Sequence, residues 1–317
     1  MNTLYFLTQQ TMFYSIPLLV VALGGMFSER SGIVNIALDG IMIVGAFVSL
    51  FFMNQMQDTM SGQMLLVLSL VVAAITGIVL SAFHAYASIY HNANQVISGT
   101  ALNMFAPAFA IFTARMALGV QQVTFLNQYR IAEVPVLSKI PILGSMFFSN
   151  TYITTYIGFG ILAVSAFFLL KTRFGLRLRS CGEHPQAAES AGVKVRIMRL
   201  AGVLISGALA GMGGLILMVP VTTAFNGSVS GFGFLALAVL IFGQWKPSRI
   251  LFAAFFFGLM QTIAAAYTGI PFLANLGIPS NVFKSIPYLT TIIVLTFTSK
   301  RSAAPKAAGE PYDSGKR

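Results

Sequence analysis

A third of the Lys, Arg, Asp, Glu and His residues of this chain lie in one stretch. From Lys171 to Leu200 the sequence reads KTRFGLRLRSCGEHPQAAESAGVKVRIMRL, with seven Lys and Arg, two Glu and one His. Within it, GEHPQAAESAGV has the marks of a short helix. Pro185 suits the first helical turn, Gln186 to Ser190 favours helix, and Gly192 can end it. Glu183 then lies at the amino end of that helix, where an anion interacts well with the backbone dipole. It reads as a rim charge and not as a catalytic acid. A short rigid helix outside any apolar run is suited to dock in a groove on another protein; the plain alternative is a solvated connector. Gly182, Glu183, His184, Pro185, Ala187, Ala188 and Gly192 are the candidate docking residues. Arg173, Arg177 and Arg179, just before them, suit lipid headgroups.

A second set of polar residues lies inside apolar sequence. Asp39 is the one carboxylate placed within an apolar run, and Asn35 stands four residues earlier, on the same helical face. Ionised groups at such depth are costly and tend to be paired or functional. Either both face a bundle interior, orienting a broken helix or lining a path, or Asp39 is a structural cap near the cytoplasmic end, tied to Arg30 or to a backbone amide. Gln95 and Asn103 stack on one face of a later run. Thr222, Phe225 and Asn226 occupy a break before a short run. These seven residues offer amides, hydroxyls and an aromatic face, with Asp39 the only charge, and they are the candidate path for a neutral solute. His84 and His91 lie near a helix end and read as helix-end residues.

Catalysis finds little material here. Hydrolysis within the apolar runs would need a Ser–His or paired-Asp arrangement, and Asp39 has no second acid beside it. A single Cys181 excludes an internal disulfide framework, and three His with eight Asp and Glu leave little for a metal site. The chain has no G-x-x-x-x-G-K-[ST] stretch, so nucleotide hydrolysis would belong to another polypeptide. No catalytic residue, metal ligand or bound cofactor is assigned.

The elements that must position these residues are hydrophobic. The chain is 56% hydrophobic and 9% charged, against about a quarter charged in soluble domains, and its mean hydropathy is +0.82. That composition is one of an all-α integral membrane protein. Runs near the roughly 20 residues a span requires cover 11–27, 33–53, 64–90, 95–118, 152–170, 197–220, 231–244, 249–268 and 285–299. About nine transmembrane helices are expected, eight to ten at the limits. The second run is interrupted at Asn35, Asp39 and Gly40; the seventh is short.

The net charge of +11 is spread over the ends of these runs and two clusters. That is how multi-span proteins orient themselves, and it does not point to nucleic acid. The basic stretch 171–199 is placed in the cytoplasm. Counting spans puts the amino terminus outside and the carboxy terminus inside. Residues 1–299 form one membrane domain, and 300–317 form a basic tail expected to be flexible. The stretch 119–150, with Arg130 and Lys139, falls outside and fits the charge rule less well. No cleavable signal peptide is visible. ALGGM at 22–26 resembles ALAGM at 208–212, and each is followed by Ser-Gly, four residues and Ala-Leu. Five spans separate the copies, so they would face opposite ways. Inverted repeats with interrupted helices are a transporter signature, although Ala, Leu, Gly and Ser also recur by chance in apolar sequence.

RFGLRLRSCGEHPQAAESAGVKVRIMRLAGVLISGALAGMGG resembles the coupling-loop region of ABC importer permeases, in the branch that serves ribose-type sugars, branched-chain amino acids and nucleosides. GGMFSERSGIVNIALDGIMIVGAF is similar to the nucleoside permeases of that branch, whose usual form is close to SER-x-G-x-x-N-I-x-(L)-(E/D)-G. The tail APKAAGEPYDSGKR and GFGFLALAVLIFGQWKP look like the smaller of two nucleoside permease subunits. The resemblance implies an inverted-repeat permease in a bacterial plasma membrane. Its partners would be a second, related permease, a cytoplasmic ATPase that binds ATP-Mg and docks at Gly182–Gly192, and a surface lipoprotein that captures the solute. Two rivals remain. One is the same machine carrying a simple sugar or a flavin. The other is an ion-coupled secondary transporter, which would need more buried acids than Asp39 and no coupling loop.

Overall fold

The computed structural model describes residues 2–60, 62–135, 138, 140–141, 143–269, 279–298 and 303–313. Lys139 and the tail residues 300–302 and 314–317 lie outside that set. Each expected apolar run falls on a helix: α1 (Asn2–Arg30), α2 (Leu38–Met56), α3 (Gln63–Tyr90), α4 (Gln95–Leu118), α6 (Ile153–Lys171), α9 (Val195–Val221), α10 (Phe232–Phe242), α11 (Pro247–Ala266) and α12 (Ser280–Thr298). Seven of these are long and apolar enough to cross a membrane. α10 is only 11 residues and α12 stands outside the seven. The stretch 119–150 carries α5 (Leu143–Phe147) and three strands, β1 (Val123–Thr124), β2 (Arg130–Glu133) and β3 (Ser149–Tyr152). β1 pairs antiparallel with β4 (Ala224–Phe225), and β2 with β3.

Helix partners reveal the repeat. α3 packs along α9 and α11 along α1. α2 lies on α9 and α10 on α1. α4 rests on α2 and α3, and α12 on α10 and α11. Exchanging α1–α4 with α9–α12 reproduces the arrangement. The two sets run in opposite directions: α1 ends and α9 begins at the same, basic end of the bundle. The matched Ser-Gly steps land in matched breaks, and Gly32 (φ +99°) and Gly231 (φ +73°) both adopt the left-handed conformation that glycine tolerates best.

Small residues let the central helices meet. A methyl group on Gly77 of α3 would overlap the Gly207 carbonyl of α9, and one on Gly211 would overlap the Ala73 carbonyl. The G-x-x-x-G pair at 207 and 211 is thus a close-packing face, the usual role of small residues in membrane helices. The opposite face of α3 exposes Val71, Ile75, Val79 and Phe83. In water such surfaces would be a liability; in lipid they are the ordinary exterior.

The basic stretch 171–199, read as a loop, is mostly helical. α7 (Arg173–Glu183) continues from α6 and buries Gly175, Leu178 and Cys181. The short helix α8 (Pro185–Ser190) follows, and α9 starts at Val195.

Candidate functional site

Two helix breaks and the connector between the repeats hold most of the polar chemistry. The first break, residues 31–37, exposes backbone groups that hydrocarbon cannot satisfy. Side chains do so instead. The Val34 N–H donates to Gln95 Oε1 at 2.7 Å, and His84 Nε2 lies 3.1 Å from the Val34 carbonyl, to which it donates. Ser98 Oγ is 2.8 Å from the other ring nitrogen of His84. Ser28 Oγ donates to the Ile33 carbonyl at 2.7 Å. Asn103 reaches over from α4, accepting from the Gly40 N–H at 2.7 Å and donating to the Ile36 carbonyl at 2.8 Å. Asn35 donates to Ser206 Oγ at 2.9 Å and accepts from its neighbour Ala37. Ser206 is 11 residues into α9, so this contact lies about 16 Å along that helix. The amino end of α2 therefore sits well inside the bundle.

α10 starts beside it. The Gly233 N–H donates to Asp39 Oδ1 at 2.9 Å. Gly233 has no room for a side chain, since a Cβ there would overlap the Asp39 backbone. Asp39 is thus a cap of the opposing broken helix, bonded to a backbone amide but inside the bundle and not near the end expected to be cytoplasmic, and its carboxyl meets two helix amino ends. The remaining path candidates lie further off. Thr222 Oγ1 closes its own turn, bonding both backbone groups of Ala224. Phe225 is buried where β4 pairs with β1, and Asn226 is exposed. The structure brings Asn35, Asp39, Gln95 and Asn103 together at the first break and places Thr222, Phe225 and Asn226 at the far end of α9.

The connector forms the basic end. Pro185 opens α8, the His184 ring accepts from the Ala187 N–H at 3.4 Å, and Gly192 closes it at φ +83°. Ala188 and Pro185 face inward, while Glu183, His184, Gln186 and Ala187 are exposed. A Cβ on Gly182 would overlap the Arg30 carbonyl, so α7 sits hard against the end of α1. Arg30 pairs with Glu183 at 3.4 Å and donates to the Trp245 carbonyl at 3.1 Å. Glu29 was missed because the first apolar run was ended at residue 27. α1 continues to Arg30, and Glu29 is a second buried carboxylate, held by Trp245 Nε1 at 2.6 Å. The signal was its place one turn before the break.

Residues 303–313, part of the tail expected to be flexible, pack on this end. Tyr312 is buried with Cys181, Ala188 and Val195. Arg199, 2% exposed, donates to the Glu310 carbonyl at 3.0 Å and sits 5.5 Å over the Tyr312 ring. Burial in this cluster raises the Cys181 thiol above its ordinary value. It also pushes Tyr312 up to about 12, with the Glu189 carboxylate adding to the effect. A cleft of about 310 Å³ separates α8 from the tail, lined by His184, Gln186, Lys306 and Pro311 among others.

A bundle of two opposed, interrupted repeats with side chains closing the breaks is a membrane permease. The chain belongs to the family described as branched-chain amino acid transport system permease component, whose model matches residues 7–295. It is 40% identical over 312 residues to the nucleoside ABC transporter permease protein NupC of Lactococcus lactis, covering 98% of each chain. It is 42% identical over 309 residues to the guanosine ABC transporter permease protein NupQ of Bacillus subtilis, covering 97% of this chain and 96% of that one. A more distant relative is the nucleoside ABC transporter permease protein NupB of the same Lactococcus, 27% identical over 282 residues, 85% of this chain and 74% of that one. No solved structure matches the chain.

Proposed function

We propose that this chain is one permease subunit of an ATP-driven importer that takes nucleosides into the cell. The reading is carried by α8, a helix fixed at both ends and presented at the basic end of an inverted-repeat bundle. Nucleoside and guanosine permeases that align along nearly the whole chain support the substrate class. The energy comes from ATP-Mg on a separate cytoplasmic ATPase that docks at Gly182–Gly192. NupC and NupB occur in one organism and differ in sequence, which supports a second, related permease as partner. A surface lipoprotein delivers the solute. The basic end faces the cytoplasm of the bacterial plasma membrane, and the β1–β4 end faces out. The solute passes between the permeases along α4 and α10, where Asn103 is half-exposed, Phe105 and Phe109 stack at 5.4 Å, and Asn226 is exposed. A flat base and a hydroxylated sugar need such rings and amides, without fixed charge.

The test is uptake by the chain and its co-purified partners in liposomes, with labelled guanosine, glucose and riboflavin, with and without ATP. Guanosine accumulation that needs ATP, and that a Glu183→Ala, Pro185→Ala double variant loses while assembling normally, is the expected result. ATP-dependent uptake of glucose or riboflavin alone would keep the machine and change its cargo. Uptake driven by an ion gradient without ATP would overturn the reading.

A further inference from the structure

We infer that residues 303–313 are a strap that ties the docking helix to the first helix break, and that this strap transmits movement between them. The inference rests on the reading of α8 as the ATPase contact. Its evidence is the set of elements the strap joins. The Ala303 N–H donates to Gln244 Oε1 at 3.0 Å, in the turn between α10 and α11. The Ala307 N–H donates to the Gly182 carbonyl at 2.9 Å, at the entrance to α8. The Gly309 N–H donates to the Gly32 carbonyl at 3.2 Å, inside the first break. The Glu310 carbonyl accepts from Arg199 at the base of α9. Eleven residues thus touch both repeats, the docking segment and the break.

Arg199 shows that the strap is an integral part. A cation 2% exposed requires compensation. The described residues give it one strap carbonyl, one strap ring and contact with Gly32, where a Cβ would lie 2.8 Å from its Nη2. No carboxylate forms an ion pair with it among the described residues. Removing the strap would take away this carbonyl and ring and open Arg199 to solvent, leaving Gly32 and Cys181 beside it. Tyr312 in turn is buried in one cluster with Ala188, on the inward face of α8. A push on α8 therefore reaches Tyr312, passes along the chain through Pro311 to Glu310 and Gly309, and arrives at Gly32. From there it reaches the segment that positions α2 and, through Asp39, α10. Coupling between sites requires an element whose contacts with both differ between states, and the strap touches both, beside the direct contact of Gly182 and Glu183 with Arg30.

The strap is tested in the reconstituted complex by two readings on the same sample. One is labelled guanosine taken up per ATP hydrolysed. The other is backbone hydrogen exchange at 31–37 and 182–192. A chain lacking 303–317 is expected to assemble and hydrolyse ATP, with uptake per ATP reduced about tenfold, within the range of allosteric couplings, and with faster exchange in both segments. Uptake per ATP and exchange both unchanged would overturn the strap. If the truncated chain fails to assemble, an Ala307→Pro, Gly309→Pro variant removes the two N–H donors from a full-length chain and is read the same way. Failure of the unaltered complex to move guanosine would count against the cargo alone. Exchange then decides the strap, supporting it if faster in the variants and overturning it if the same.

Discussion

Single side chains at the breaks do the work that water does elsewhere. Gln95 and His84 each serve one backbone group of Val34, and Asn103 serves two groups on either side of the α2 start. These residues stood out in the sequence as polar groups in apolar runs. Their partners did not, because a backbone carbonyl 50 residues away carries no sequence signature. Glu29 and Trp245 form the other buried pair. Trp245→Phe keeps the ring and removes the donor, leaving the carboxylate buried and unpaired. A loss of about 2 kcal/mol is expected, read as a lowered unfolding midpoint in detergent against the unaltered protein. Tyr312 supplies a pH test. Its phenol is held up to about 12 in the fold, above the ordinary 10.0 of a tyrosine, so the fold favours the neutral form. The stability it contributes is complete below pH 10 and is lost as pH rises through the folded value. The groups around it are Glu189, Arg196 and Arg199. Absorbance of phenolate should therefore show a late-titrating component that shrinks by one tyrosine in Tyr312→Phe. An undiminished component would place the raised phenol elsewhere.

Elements were legible where their rules are local. The helix at 185–190 follows from proline at its first turn and a glycine free to take φ +83° at its end, and the structure has both. The two breaks followed from polar and glycine interruptions at matching places. What adjoins what was not legible: that α10 begins on Asp39 depends on the fold of both repeats, and α7 looked like loop because its apolar face is only four residues wide. Asp39 is a cap between elements, so its prediction belongs here. Asp39→Ala leaves the first N–H groups of α10 unpaired and should cost about 1 kcal/mol, as at other helix caps, whereas Asp39→Asn keeps an acceptor and should cost less. Equal midpoints for the two variants in thermal unfolding would show that the carboxylate's charge, and not its acceptor, holds the helix.

At the scale of the molecule, the two repeats set the orientation of everything else. Their antiparallel arrangement puts α8, Trp245 and the strap at one end and the β1–β4 pair at the other. Replacing Cys181 by Ala and introducing Gln186→Cys should give a chain that a membrane-impermeant maleimide labels only in inside-out vesicles. Asn226→Cys in the same background should label only in right-side-out vesicles. Reversal of the two would invert the topology and remove the cytoplasmic docking of α8. Composition and run lengths made the membrane class and the approximate helix count legible; the shape of the tail was hidden because it depends on a cation, Arg199, that lies over one hundred residues earlier in the chain. A proton crosses a protein along a file of waters, and each water needs two or more polar anchors. Around residues 33–37 Gln95 Oε1, the His84 ring and the Asn35 and Asn103 amides are engaged with protein partners, while Gln95 Nε2 is buried without one. A break closed in this way offers a file of waters few anchors, so this segment resists proton leakage at rest.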